Sequence, residues 1–282
     1  MSRLSENNSA GYRGRRRGKR GIGLKAYGLL VYVFLYFPLL IVLVFSFSPT
    51  KTIVGISGFT LKWYLELFKD QNLLTAFFHT LIIGIGAVGI AIVLGLAGAF
   101  FVSRVSFPGK SVFRTLILLP YILPGILMGI SLLVVIKAAG IPLSPITVLL
   151  GHVSFTVPVV MFQIMSRIAR MGPNYQAAAM DLGANPAQTF WYVTLPMIRT
   201  ALIGAALLAF TVSFDEIVIS YFLTGTWMTL PVFIYGMMRY GLSPKVYAIS
   251  TIILFLSLAL VMLMSRYTGR SAEVYRVRRR RE

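Results

Sequence analysis

The sequence contains no cysteine, which excludes disulfides and thiolate-held metals at once. Acidic residues are scarce: eight Asp and Glu stand against 27 Lys and Arg in 282 residues, a formal net charge of +19 at pH 7. There are two histidines, His79 and His152, far apart and without a carboxylate or second histidine at ligand spacing. No Ser, His and Asp form a recognisable triad. With so few acid–base or ligating groups, nothing in the chain supports catalysis or a metal centre. Each histidine is read most simply as a polar group satisfied between helices.

What the chain has in abundance is apolar surface. It is 57% hydrophobic, with a mean hydropathy of +0.80, far above a soluble domain. Six charge-poor stretches are long enough to cross a bilayer, which takes about 20 residues each. They lie at residues 26–47, 73–102, 115–136, 146–166, 200–224 and 246–265. In hydrocarbon the backbone must bond to itself, and these runs are continuously apolar rather than alternating, so helices are expected and a β-barrel is not. The expected fold is all-α, a polytopic membrane protein with six transmembrane helices. The first stretch is too long, and lacks the cleavage region, for a signal peptide, so it should stay in the mature protein.

The basic residues divide the chain and orient it. A basic tail at 1–25 precedes a membrane domain at 26–267, and a second basic tail follows at 268–282. Eight Lys and Arg lie between Arg3 and Lys25, and seven between Arg266 and Arg281. Six more, Arg104, Lys110, Arg114, Arg167, Arg170 and Arg199, fall in loops that an even number of spans puts on the same side. Only Lys51, Lys62, Lys69, Lys137, Arg239 and Lys245 remain for the other side. This bias of 21 against 6 predicts both termini, and the loop at 167–199, in the cytoplasm. The arginine runs at 15–17 and 278–281 flank spans, so they are read as topology signals that touch anionic lipid, not as nucleic-acid contacts.

Within that loop lies a polar interruption at 174–196. Gln176 to Leu182 are good helix formers, and Gly183 can end the helix as a left-handed C′ residue. Pro186 suits the first turn of a second short helix, which the Leu195-Pro196 step is expected to close before the next span. Two short helices with alanines on the surface make a knob that a partner protein can approach closely. On the opposite side, Gly58-Phe59-Thr60-Leu61-Lys62-Trp63-Tyr64 suits a membrane interface or a lid. The segment 226–244 is too polar to cross, with a short interfacial helix expected near 231–240.

Gly84-Ile85-Gly86-Ala87-Val88-Gly89 satisfies the glycine pattern of dinucleotide binding, but no strand precedes it and no acidic residue follows at the required distance. With Ala91, Gly95 and Ala99 continuing the series inside an apolar run, it reads as a helix-packing face. One charged constellation stands inside a span. Phe214-Asp215-Glu216 places adjacent carboxylates in the fifth stretch, where at least one should face the bundle interior or a watery path. Adjacent helical residues diverge by about 100°, so one is expected on the path and the other on a neighbouring helix. The bland alternative is an internal ion pair, with Lys137, Arg239 or Lys245 as partner, or a cap at a break in the helix.

The run Ala177-Ala178-Ala179-Met180-Asp181-Leu182-Gly183-Ala184, followed by Phe190 and Leu195-Pro196, resembles the E-A-A-x-x-x-G loop of permease subunits of bacterial ABC importers. The resemblance extends over nearly the whole chain beyond the N-terminal tail. It narrows to the second permease of spermidine/putrescine importers through Gly58 to Tyr64, Leu119-Pro120-Tyr121-Ile122-Leu123-Pro124-Gly125, Leu208 to Glu216, Thr229-Leu230-Pro231 and Tyr240-Gly241-Leu242-Ser243-Pro244. It implies a type I importer permease fold and an ATPase-coupling loop comprising Gln176, Ala177, Ala178, Ala179, Asp181, Gly183, Ala184, Leu195 and Pro196. One position departs from the pattern: the family's Glu falls on Ala177, with Gln176 before it, which removes a carboxylate there and leaves helical docking. The implied partners are a homologous second permease, a dimer of a cytoplasmic ATPase and an extracytoplasmic solute-binding protein. ATP and Mg would be used by the ATPase, with no cofactor on this chain. The implied solute is a polyamine, for which Phe214, Asp215 and Glu216 would line the path. The same branch also serves other small solutes, such as aminoethylphosphonate or opines. A stand-alone secondary transporter usually carries internal repeats, and no second copy is found here. A membrane scaffold without transport is the third class of reading.

Overall fold

The computed structural model describes residues 15–50, 58–172, 174–239, 244–259 and 262. The expectations on most of the two tails, on Lys51, on the 240–243 motif and on the end of the sixth stretch lie outside them. In chain order the elements are α1 (Arg15–Phe45), α2 (Lys62–Lys69), α3 (Gln71–Arg104), α4 (Lys110–Ile122), α5 (Gly125–Ala138), α6 (Pro145–Arg170), α7 (Asn174–Asp181), α8 (Pro186–Gln188), a π-helical turn (Thr189–Thr194), α9 (Leu195–Phe214), α10 (Val218–Leu223) and α11 (Leu230–Arg239). A last helix, α12, follows at Pro244–Ala259. The all-α expectation holds throughout the described residues.

Four helices are long and apolar enough to cross a membrane, or five if the bent pair α4–α5 is one span; α12 is a shorter apolar helix. The described residues therefore do not reach the expected six. Two stretches depart from a straight helix. The expected span at 115–136 is broken between α4 and α5, which are bent by 101°. Leu123, just before Pro124, is extended at φ −63°, ψ 141°, as the clash with a following proline ring demands. The expected span at 200–224 instead ends at Phe214, and the chain restarts as α10 only at Val218.

The chain divides into two compact units. The smaller comprises residues 1–65 and 243–251. In it, Phe47 stacks on Phe59 at 4.8 Å and packs on Tyr64 at 5.4 Å. The Trp63 indole N–H donates to the Ser48 carbonyl at 2.8 Å, and Ser46 Oγ bonds the Tyr64 hydroxyl at 2.7 Å. The Gly58–Tyr64 segment is thus tied to the end of α1. None of the α1 span from Lys25 to Phe45 is buried by the chain itself. A helix apolar all round and so little covered requires lipid or another polypeptide about it.

The larger unit comprises residues 66–242 and 252–282. Its core is α3, α6 and α9 packed together, with α10 lying on α5 and α6, and α11 on α3. The small-residue series of α3 makes this packing possible: Gly84, Ala87, Ala91, Gly95 and Ala99 are all buried. A Cβ on Gly95 would lie 2.9 Å from Val160 and 3.1 Å from the Met161 backbone nitrogen, and one on Gly84 would lie 3.0 Å from the Phe210 ring. Gly89, by contrast, has nothing within 4 Å. The glycine pattern is a packing face, as the sequence context indicates.

The contrast is testable. Gly95→Ala should lower thermal stability in detergent by about 1–3 kcal/mol, because overpacking forces the α6 backbone to move. Gly89→Ala should be neutral or stabilising, since alanine is the better helix former by about 1 kcal/mol. Equal melting temperatures for the two variants would contradict this account of the core.

Candidate functional sites

Two places in the larger unit concentrate unusual chemistry. The first is the α7–α8 knob. Helix α7 stops because Gly183 adopts φ +90°, a left-handed conformation that costs other residues about 1–2 kcal/mol. Around it the Gly183 N–H donates to the Met180 carbonyl at 2.9 Å and the Ala184 N–H to Ala179 at 3.0 Å, the paired bonds of a Schellman turn. The chain then restarts through a capping box: Asn185 Oδ1 accepts from the Gln188 N–H at 2.8 Å, and Gln188 Oε1 accepts from the Asn185 N–H at 2.9 Å. Pro186 fills the first turn, where no donor is needed.

The expected stop at Leu195-Pro196 does not occur. Residues from Pro186 to Phe214 form one span of 29 residues. The π turn absorbs the proline: the Leu195 N–H reaches back five residues to the Phe190 carbonyl, which re-registers the helix just before Pro196. Two contacts fasten the knob and the helix that follows it. Gln176 is buried and its Nε2 donates to Thr194 Oγ1 at 2.8 Å, fastening α7 to the π turn. Arg167, near the end of α6, donates from Nε and a terminal nitrogen to the Met197 carbonyl at 3.1 and 2.9 Å.

Of the residues expected in the coupling loop, Ala177, Ala178, Asp181, Gly183 and Pro196 are exposed, while Ala179, Ala184 and Leu195 are half-buried. Gln176 faces inward as a fastening. Large apolar side chains stand out beside the exposed alanines: Leu182 is 89% exposed, Tyr192 79% and Trp191 62%. Together these side chains form an exposed apolar patch on a knob with a fixed backbone. The two aromatics lie on the π turn, beyond the alanine motif, and the only sequence signal for them was aromatic clustering next to a proline.

The second place is the break between α9 and α10. The Asp215 N–H still bonds the Thr211 carbonyl at 3.3 Å, and there the α9 ladder ends. Glu216 Oε1 accepts the Ile219 N–H at 2.9 Å, satisfying a donor that the start of α10 would otherwise leave free. Glu216 is half-buried and Asp215 exposed. Phe214 is 9% exposed and packs against Phe77 and Phe210, so it belongs to the core and is not presented with Asp215.

His152 of α6 braces the break. One ring nitrogen lies 2.7 Å from Ser213 Oγ and the other 2.7 Å from Ser220 Oγ, one serine on each side of the interruption. His79 is likewise satisfied, with Nδ1 2.9 Å from the Met228 carbonyl and its ring stacked 3.6 Å from Trp227. The α4–α5 break lies next to the same place. A Cβ on Gly125, the first residue of α5, would lie 3.5 Å from Val218 and 4.0 Å from Glu216 Oε1. One on Gly129 would lie 2.7 Å from the Phe222 ring. Two interrupted helices therefore begin side by side at one carboxylate.

The chain is similar to known transport proteins. Residues 91–271 match the family described as binding-protein-dependent transport system inner membrane component. The chain is 35% identical to the putrescine transport system permease protein PotI of Escherichia coli (strain K12) over 258 residues, 89% of this chain and 92% of that protein. It is 33% identical to the spermidine/putrescine transport system permease protein PotC of Haemophilus influenzae, covering 87% and 96% respectively. The sulfate transport system permease protein CysW of Synechococcus elongatus is 28% identical, covering 90% and 91%. In structure, a chain of a bacterial ABC transporter that imports the acidic polysaccharide alginate superposes with a TM-score of 0.69 at 16% identity, covering 91% of this chain and 99% of that one. At that identity the likeness establishes fold, and the fold is that of type I importer permeases.

The brace at the break makes its own prediction. His152→Ala should leave Ser213 and Ser220 without their buried partner and lower stability by about 1–3 kcal/mol. A melting temperature unchanged from wild type in detergent would mean that the brace contributes nothing to holding the break.

Proposed function

Because the chain belongs to the binding-protein-dependent transport system inner membrane components, and is thus a non-enzymatic permease subunit of an ABC importer, we propose that its solute is a polyamine-like organic cation. The observation that carries this reading is the 35% identity to a putrescine permease over nearly the full length of both chains. The other subunits would be a homologous second permease, two copies of a cytoplasmic ATPase and an extracytoplasmic binding protein. The 21-to-6 distribution of basic residues supports a topology with both termini inside and six spans, and with it a cytoplasmic α7–α8 knob.

In this reading the knob seats in the ATPase, and the 29-residue span from Pro186 to Phe214, about 43 Å long at 1.5 Å per residue, links it to the α9–α10 break. Of the two carboxylates at the break, Asp215 is the one for the solute path, because it is exposed and Glu216 is engaged as a cap. Ammonium groups passing a cluster of interrupted helices would meet a carboxylate there in place of lost water.

Two experiments test the proposal. Gly183→Val forces a β-branched residue into the left-handed turn, so the assembled importer should lose solute-stimulated ATP hydrolysis in reconstituted vesicles. Full stimulation in that variant would remove the knob from the coupling route. Asp215→Asn should slow uptake of labelled putrescine or spermidine roughly tenfold per purified complex, the scale of one charge-assisted contact. Glu216→Gln should instead lower the yield of assembled complex. Normal uptake per complex in Asp215→Asn would take that residue off the path, and no uptake of either polyamine by wild type would overturn the solute class.

A further inference from the structure

Beside the α7–α8 knob, whose underside shares Arg104 with it, the ends of α3 and α6 and the start of α4 enclose an open cleft of about 870 Å³. Its polar lining is Arg104, Lys110, Arg114, Ser103, Ser111 and Ser166, and no acidic side chain is among its lining residues. Its floor is apolar, formed by Phe162, Met165 and Ile168 among others. The Arg114 guanidinium lies 5.7 Å from the Phe162 ring centre, bringing charge and floor together. Arg170 adds a fourth cation at the edge, donating from Nε to the Ser166 carbonyl at 3.1 Å and from a terminal nitrogen to Ser166 Oγ at 3.2 Å.

The position of the cleft is as telling as its lining. Arg104 is the last residue of an apolar 34-residue span, and Lys110 is the first residue of the next helix. The cations therefore stand where hydrocarbon gives way to the polar surface. The N-cap of α4, Gly109, offers no side-chain oxygen, so the positive end of that helix adds to the side-chain charge. Three cations, three hydroxyls and an apolar floor at a membrane boundary match a phosphate-bearing headgroup with its acyl chains attached.

We propose that this cleft is a binding site for an anionic phospholipid, with the phosphate held by Arg104, Lys110 and Arg114 and the acyl chains on the Phe162–Met165–Ile168 floor. The lipid belongs to the cytoplasmic leaflet, a placement that rests on the orientation proposed above. Basic pockets between spans hold such headgroups by charge together with hydrogen bonding, and the serine hydroxyls give this one the second component.

The test uses the intact importer purified in detergent, with retained lipid counted by native mass spectrometry and melting temperature followed on addition of phosphatidylglycerol, phosphatidylcholine or inorganic phosphate. Wild type should retain phosphatidylglycerol in preference to phosphatidylcholine and be stabilised by it. The variant Arg104→Ala/Lys110→Ala/Arg114→Ala should bind it roughly tenfold more weakly. The variant Arg15→Ala/Arg16→Ala/Arg17→Ala, with the same loss of charge in the N-terminal tail, should bind it as wild type does. Equal retention in the cleft variant, or an equal loss in the tail variant, would overturn the site. Stabilisation by inorganic phosphate to the same degree would overturn the lipid as its source. Loss of the ATPase from the cleft variant with its lipid intact would assign the cleft to that subunit and overturn the proposal. Because the chain has no native cysteine, Ala187→Cys on the exposed knob reports orientation separately. Labelling by an impermeant maleimide from the cytoplasmic side supports the leaflet assigned, and labelling from outside overturns it together with the docking reading.

Discussion

In hydrocarbon, a helix that stops must find partners inside the protein for every backbone group it frees. The larger unit interrupts apolar stretches at Leu123–Pro124 and at Asp215–Ile217, and brings the two stops together. Glu216 takes up a free N–H of α10, and His152 holds a serine on each side of the gap. Gly125 and Gly129 allow α5 to approach α10 closely beside this gap. The polar content of this span is therefore first a solution to broken backbone. That solution leaves Asp215, adjacent in sequence and exposed, free of structural duty at the break.

The same economy explains the core. Three helices can pack closely only where side chains withdraw, and α3 withdraws along one stripe, from Gly84 to Ala99. Without a strong hydrophobic drive between helices in lipid, close backbone approach and dispersion must do the work. The α7–α8 knob is fastened to the π turn through Gln176, and the helix that continues from it is tied to α6 through Arg167. Its apolar side chains point outward, because no interior is available to receive them.

Much of this was legible in the sequence. Apolar runs gave the helical class and the approximate positions of the spans, Gly183 gave the turn of the knob, and the small-residue series gave the packing face. The glycine series was readable because its spacing of three and four residues is a local property of one helix. The breaks were not readable as breaks. Pro124 could have kinked a helix without ending it, and the 101° bend depends on what packs alongside. At residues 214–217 no proline or glycine marks the stop, and two carboxylates in an apolar run read equally well as a path or a cap. The sequence signal of Leu195-Pro196 misled for the opposite reason. Proline commonly closes a helix, but one extra residue in a π turn can carry the helix past it, and that choice is made by tertiary seating through Gln176 and Thr194.

The π turn has a consequence for how motion at one end of the chain could reach the other. Had the helix closed at Leu195, the knob would hang from the span by a flexible joint, and a displacement of α7 would be absorbed there. With Pro186 to Phe214 continuous, the knob's second helix and the membrane span are one body. Its far end is the last residue before the break, where Ser213 is tied across the gap through His152 to Ser220 and through its carbonyl to the Glu216 N–H. A rigid rod ending at a polar hinge transmits a tilt to the hinge instead of dissipating it along its length. Under the proposed function, ATPase closure on the knob would be felt first at Asp215 and Glu216. The sequence places two of its eight acidic residues side by side at that point.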